Sequence, residues 1–147
     1  MIDTKSDPVK FKISVHPIHY SEALAKTDKA YARKFLKGWD VVEADTMKGL
    51  RWCLKSSVWS SIIFKKGVRI GAHFEAAYFC VLDFDEGMTL GRAVGREWDD
   101  HVHIIGTTKS HQIEKNGRIE DRFRVIVPFE KPITDPEEYK TTMREIA

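Results

Sequence analysis

Cysteine is scarce in this chain. Cys53 and Cys80 are the only two among 147 residues, both in apolar surroundings and without C-x-x-C spacing. That pattern offers no disulfide framework and no thiolate zinc site, and it fits free thiols in a reducing compartment. An excess of charge of one sign is also missing: 24 Lys and Arg stand against 22 Asp and Glu, for a net charge of +2. Any surface for nucleic acid must therefore be local. No apolar run approaches the length of a membrane-spanning helix. The opening "MIDTKSDPVK" has no apolar signal core. The expectation is a cytoplasmic protein without a membrane partner. Repeats, low-complexity tracts and linkers are absent too. What is present, 42% hydrophobic and 31% charged residues, is the balance of a globular domain with a real core.

The pattern of elements is mixed. "KFKISV" alternates as a short strand, and "SEALAKTDKAYARKFLKG" predicts a helix between Ser21 and Gly38. "ADTMKGLRWCLKSS" predicts a second helix, capped by Asp45 or Thr46, with Met47, Leu50 and Leu54 on one face. "VWSSIIFKKG" reads as a strand entering a basic turn, "HFEAAYFCVLDFD" as the central strand, "MTLGRAVGREW" as a short glycine-broken helix and "HVHIIGTT" as a further strand. Asn116-Gly117 within "HQIEKNGRIEDRFRVIVPF" predicts a type I′ hairpin. "TDPEEYKTTMREIA" opens a last helix, with Asp135 as N-cap, Pro136 at N1 and Glu138 at N3. Strands interspersed with helices, one hairpin being antiparallel, predict an α+β fold with helices on one face of the sheet and an N-terminal helical region. A single domain over 1–147 is expected, with an N-terminal α/β region at 1–58 and a sheet region at 59–147.

Chemistry concentrates at two places. Asp83 and Asp85 end an apolar strand, where a charged, buried and unpaired carboxylate would cost several kcal/mol. Residues two apart on a strand share a face, so these carboxylates project together, about 6.6 Å apart along the strand. Hard oxygen donors at that span suit Mg²⁺ or Mn²⁺ and the polarised oxygens of phosphoryl transfer. The D-x-D pattern by itself fits an exposed strand end equally well. The hairpin adds cations. Counting outward from Lys115 opposite Arg118, Ile113 faces Glu120, His111 faces Arg122 and Lys109 faces Arg124. Phe123, Val125, Val127 and Phe129 then line the core face. Lys109, His111, Arg122 and Arg124 share the other face, where they repel one another unless an anion sits among them.

"VLDFDEG", "IIGTTKSHQ" and "DRFRVIVPFEKPITDPEEY", in that order, resemble the catalytic core of archaeo-eukaryotic-type primases and primase-polymerases, closest to the replication primases of phages and plasmids. The resemblance covers the stretch from Trp59 onward. It implies an RNA-recognition-like sheet, mixed or antiparallel, carrying a two-metal nucleotidyltransferase site. Asp83 and Asp85 would be the metal ligands for Mg²⁺ or Mn²⁺. Ser110, His111, Lys109, Arg122 and Arg124 would hold a nucleoside triphosphate, opposite a single-stranded DNA template, with a helicase fused or in trans. Two departures stand out. The family places Ser or Thr two residues before the histidine, where this chain has Lys109; Thr108 or Ser110 takes that role if the backbone bends there. The family also has a third carboxylate on a later strand, and nothing after Phe129 reads as that strand. The expectation is a catalytic fragment or a non-catalytic derivative.

Two other readings compete. "DDHVHIIG" fits the His-hydrophobic-His signature of rolling-circle replication endonucleases, with His101 and His103 binding one metal and Tyr139 as nucleophile. The other is a nucleic-acid-binding module without chemistry. Lys65, Lys66 and Arg69 form its small basic patch, which a solvated turn explains as well. Trp52, Trp59, Phe64 and Phe74 fall at core-like spacings with no stacking role required.

Overall fold

The computed structural model describes residues 10–18, 27–56, 58–94, 103–108 and 110–146. Among them the chain is α+β, with β1 (Phe11–His16), α1 (Lys29–Arg33), β2 (Asp40–Ala44), α2 (Met47–Ser56), β3 (Val58–Ser60), β4 (Ile62–Phe64), β5 (Phe74–Phe84), α3 (Leu90–Ala93), β6 (Ile104–Thr107), β7 (Phe123–Ile133) and α4 (Pro136–Ile146). The strands form two sheets, ordered β2-β1-β3 and β4-β5-β7-β6. The chain divides into two compact units, one of residues 1–78 with 131–146 and the other of residues 79–130.

In the first unit β1 pairs antiparallel with β2 and β3, with Ile13 opposite Val42 and Val15 opposite Trp59. Phe11 and Ile13 are buried, as their alternation predicts. His16 is buried as well. Its Nδ1 accepts from the Ile18 N–H, so its Nε2 donates to the Lys37 carbonyl at 2.8 Å. The ring packs between Phe35 and Trp39, at centroid distances of 4.8 and 5.3 Å. Trp39 in turn donates Nε1–H to the Phe35 carbonyl at 2.7 Å. Gly67 approaches the Trp39 backbone so closely that a Cβ on it would stand 2.4 Å from the Trp39 carbonyl oxygen, and its φ of +63° is itself a glycine conformation.

Several expected elements stand where the sequence puts them. Thr46 Oγ1 caps α2 by accepting from Gly49 N–H at 3.0 Å. Asp135 caps α4 through Glu137 N–H and Glu138 N–H. Others differ. The helix expected up to Gly38 keeps α-geometry only to Arg33, then tightens to a 3₁₀ turn over Lys34–Leu36; its earlier part falls outside the described residues. The strand expected through "VWSSIIF" breaks at Ser61 and serves two sheets: β3 joins β1, while β4 pairs with β5. Ser60 Oγ stabilises the corner by accepting from Ile62 N–H at 3.2 Å. Strand β2 was not expected at all. Its "DVVEA" is exposed at all but Val42 and Ala44, so it lacks a clean alternation. Trp52 does not join the core, being 69% exposed on α2, whereas Phe64 is buried.

The core of the second unit forms around Phe123, Val125 and Ala93, with Leu82, Phe84, Met88, Leu90, Ile105 and Val127 packed on it. Phe84 stacks on Phe123 at a centroid distance of 5.0 Å. Burying side chains such as Phe123 and Val125 contributes about 1.5–3 kcal/mol each, which fixes β5 and β7 by their apolar faces. On the opposite face Asp83 and Arg124 are exposed near the end of β5, beside the buried Ile126.

Candidate functional site

The Asn116-Gly117 hairpin forms as expected: Lys115 bridges Arg118, and both turn residues have positive φ, 55° and 75°. The register beyond it does not continue. Strands β6 and β7 pair with Gly106 opposite Arg124 and Thr107 opposite Phe123, and Thr108 N–H donates to the Arg122 carbonyl at 3.0 Å. The expected pairings of Ile113 with Glu120, His111 with Arg122 and Lys109 with Arg124 are thus corrected. The cause is a turn between the hairpin and β6. The His111 N–H donates to the Thr108 carbonyl and the Ile113 N–H to the Ser110 carbonyl, while Gln112 takes a φ of 56°.

Arg122 holds this bend. It is 5% exposed, and its Nη1 donates to the carbonyls of Ser110 and Ile113, at 2.8 Å each. The backbone N–H of Arg122 also donates to His111 Nδ1 at 3.2 Å. His111 and Arg122 are therefore neighbours, but through ring and backbone rather than as opposed side chains. Asp121 adds a second tie, accepting from the Leu90 N–H at 2.6 Å and from the Gln112 side-chain amide. The Leu90 N–H holds the Asp121 carboxyl below the usual carboxylate range, against a smaller desolvation effect; the Gln112 amide and His111 add to the lowering.

The carboxylates at the end of β5 meet different partners. Asp83 accepts a 2.5 Å ion-paired hydrogen bond from Arg124 Nε on the neighbouring strand. Part of the acidic cluster is thereby neutralised by the basic strand beside it. Asp85 lies just past the strand and is exposed. It opens onto a groove of about 410 Å³ lined by Asp85, Glu86, Lys115, Asn116, Arg118, Glu120 and Arg122. Three carboxylates and three cations thus share one wall. Among them Arg118 reaches Glu86 at 3.6 Å, both well exposed, a pairing of the kind that contributes about 0–1 kcal/mol and that an incoming anion can displace.

The donor set suits a hard divalent ion in kind: Asp83 and Asp85 offer exposed carboxylate oxygens, and no hydrogen bond or ion pair engages Asp85 among the described residues. In number it is sparse, since no group of three or more His, Cys, Asp or Glu side chains gathers among the described residues.

Of the remaining expected residues, Ser110 contributes its carbonyl to Arg122 and is half-buried. Lys109 and His101 lie outside the described residues. His103 is half-buried just before β6. Tyr139, on α4, packs its ring 5.5 Å from Phe74. Lys65 and Lys66 are exposed in a 3₁₀ turn, Lys66 with a φ of 57°, and the Arg69 guanidinium lies 5.6 Å from the Trp39 ring centre. Lys115, Arg118, Glu86 and Glu120 were not expected in the site. For Lys115 and Arg118 the signal was the hairpin itself, whose tight loop places them side by side.

No family model matches the chain, and no curated protein or solved structure matches it either.

Proposed function

We propose that this chain carries the nucleotidyl-transfer site of a primase or primase-polymerase used in DNA replication. The observation that carries the reading is that Asp85 lines one groove together with Lys115, Arg118 and Arg122. Phosphoryl transfer needs carboxylates for metal beside cations for phosphate, and it is mostly positioning and electrostatics. The order of the three motifs beginning with "VLDFDEG" supports the same reading.

In this account Asp83 and Asp85 hold Mg²⁺ or Mn²⁺, which when bound polarises the reacting phosphate oxygens. Arg124 orients Asp83 through its 2.5 Å contact. Lys115 and Arg118 draw the triphosphate of a nucleotide into the groove. Arg122 shapes that groove by fixing the Ser110–Ile113 turn, which presents His111. Single-stranded DNA is the template.

The test is incorporation of labelled nucleotide on a single-stranded template with Mg²⁺ or Mn²⁺. The reading expects incorporation that Asp85→Asn reduces by at least about 100-fold, the scale on which a lost electrostatic stabiliser acts. Metal-dependent nicking of single-stranded DNA with a covalent adduct on Tyr139 would replace it by the endonuclease reading. DNA binding with no incorporation would leave a binding module.

A further inference from the structure

Two segments distant in sequence are tied together in the first unit. The Arg69 N–H donates to the Leu36 carbonyl at 2.8 Å, and the Trp39 N–H to the Gly67 carbonyl at 3.2 Å. Residues 29–39 bring Lys29, Arg33, Lys34 and Lys37 to this ridge, and residues 65–74 bring Lys65, Lys66 and Arg69. Neither segment contains Asp or Glu. All of these cations are exposed, and no ion pair engages any of them among the described residues. The acids that bound the segments are Asp28, Asp40 and Glu75, and Asp28 is occupied in capping α1.

Such segregation stands out in a chain whose charges nearly cancel, 24 against 22. Elsewhere exposed cations meet carboxylates, as Lys10 meets Glu43 and Lys140 meets Glu137. The ridge is also anchored from below. Phe35 and Trp39 are buried under it, the His16 ring holds the Lys37 carbonyl, and the Arg69 guanidinium lies 5.6 Å from the centre of the Trp39 ring. Like charges fixed close together repel, and an anionic partner relieves them. Among the cations each segment also exposes one aliphatic side chain, Leu36 at 44% and Ile70 at 45%. The bond from Arg69 to Leu36 sets Leu36 opposite the neighbour of Ile70.

We propose that this ridge docks an acidic peptide segment of a partner protein. Its carboxylates lie against Lys34, Lys37, Lys65 and Lys66, and an aliphatic side chain of the peptide covers Leu36 and Ile70. Complementary charge gives such a contact its rate and register, and the apolar pair its discrimination. A nucleic-acid strand would answer the charge but leave the aliphatic pair uncovered. Trp39 has no face to offer its bases, being buried, and Tyr31 packs against Phe35 at a centroid distance of 5.5 Å. A bilayer would receive too little apolar surface from two side chains. The inference stands on the first unit and does not require that the groove of the second transfer nucleotides.

The test is anisotropy of a fluorescein-labelled acidic peptide carrying a Leu-Leu pair between runs of glutamate, titrated with the whole chain at low salt. The variant Lys34→Gln/Lys37→Gln/Lys65→Gln/Lys66→Gln is expected to weaken binding at least about tenfold. A control peptide with Ser-Ser in place of Leu-Leu is expected to bind the wild type about fivefold more weakly, and Leu36→Ser/Ile70→Ser to abolish that difference. A general attraction of acid to base would not discriminate between the two peptides. All these side chains are exposed, so circular dichroism should show an unchanged fold. Failure of the Leu-Leu peptide to bind, unchanged binding by the lysine variant, or equal affinity of the wild type for both peptides would overturn the proposal. So would an oligothymidylate, or vesicles containing phosphatidylserine, binding through these lysines more tightly than the peptide.

Discussion

Arg122 is the residue on which the second unit's geometry turns. A buried guanidinium bonded to two carbonyls is a structural clamp, and losing it leaves the Ser110 and Ile113 carbonyls without that donor. Arg122→Met should lower stability by about 2–4 kcal/mol, measured by urea denaturation, and Arg122→Lys should recover only part of it, because an ammonium lacks the planar fork. Gly67 makes a sharper case in the first unit. A Cβ there meets the Trp39 carbonyl oxygen at 2.4 Å, and that contact is backbone and cannot swing aside. Gly67→Ala should destabilise by roughly 2 kcal/mol or more through clash and positive φ together. Asp121 gives a pH signature. Its folded carboxyl is held below the usual range, first by the Leu90 N–H, so its contribution is present above the unfolded value and is lost as pH falls through the folded one. Melting temperatures should therefore drop below about pH 4 in the wild type, and Asp121→Asn should remove part of that drop while lowering stability near neutrality.

At the scale of elements, the hairpin was legible and its continuation was not. Asn116-Gly117 has the positive φ values that a type I′ loop demands, so the turn could be located from two letters. Nothing so local marks the turn before the hairpin, because Gln112 carries its φ of 56° without being glycine and Arg122 holds the turn from nine and twelve residues away. The same limit applies to "VWSSIIF", where periodicity shows extended chain but not the corner at Ser61 that sends β3 and β4 into different sheets. Strand β2 escaped notice because an exposed edge has no alternation to read. Trp52 was misplaced for a related reason: helical spacing alone cannot tell a core tryptophan from one on the outer edge of the stripe, and its neighbours Lys48, Arg51 and Lys55 were the better guide. The burial pattern of the carboxylate strand was readable, although Asp85 stands just past its end rather than within it. Leu82 and Phe84 pack inward while Asp83 and Asp85 are exposed.

For the molecule as a whole, the question is whether the acidic end of β5 and the basic hairpin act together on one substrate. The Asp83–Arg124 contact already joins acid to base across two strands, and the groove beside Asp85 continues the mixture. If that arrangement serves phosphoryl transfer, nucleotide binding must depend on metal and on both charge sets. The most direct measurement is equilibrium binding of a labelled nucleoside triphosphate to the whole chain with and without Mn²⁺. The account predicts Mn²⁺-dependent binding that is weakened at least about tenfold by Asp83→Asn/Asp85→Asn and by Lys115→Gln/Arg118→Gln, each charge-assisted contact being worth about 1.5–3 kcal/mol. Binding that ignores Mn²⁺, or that survives both double variants unchanged, would contradict it.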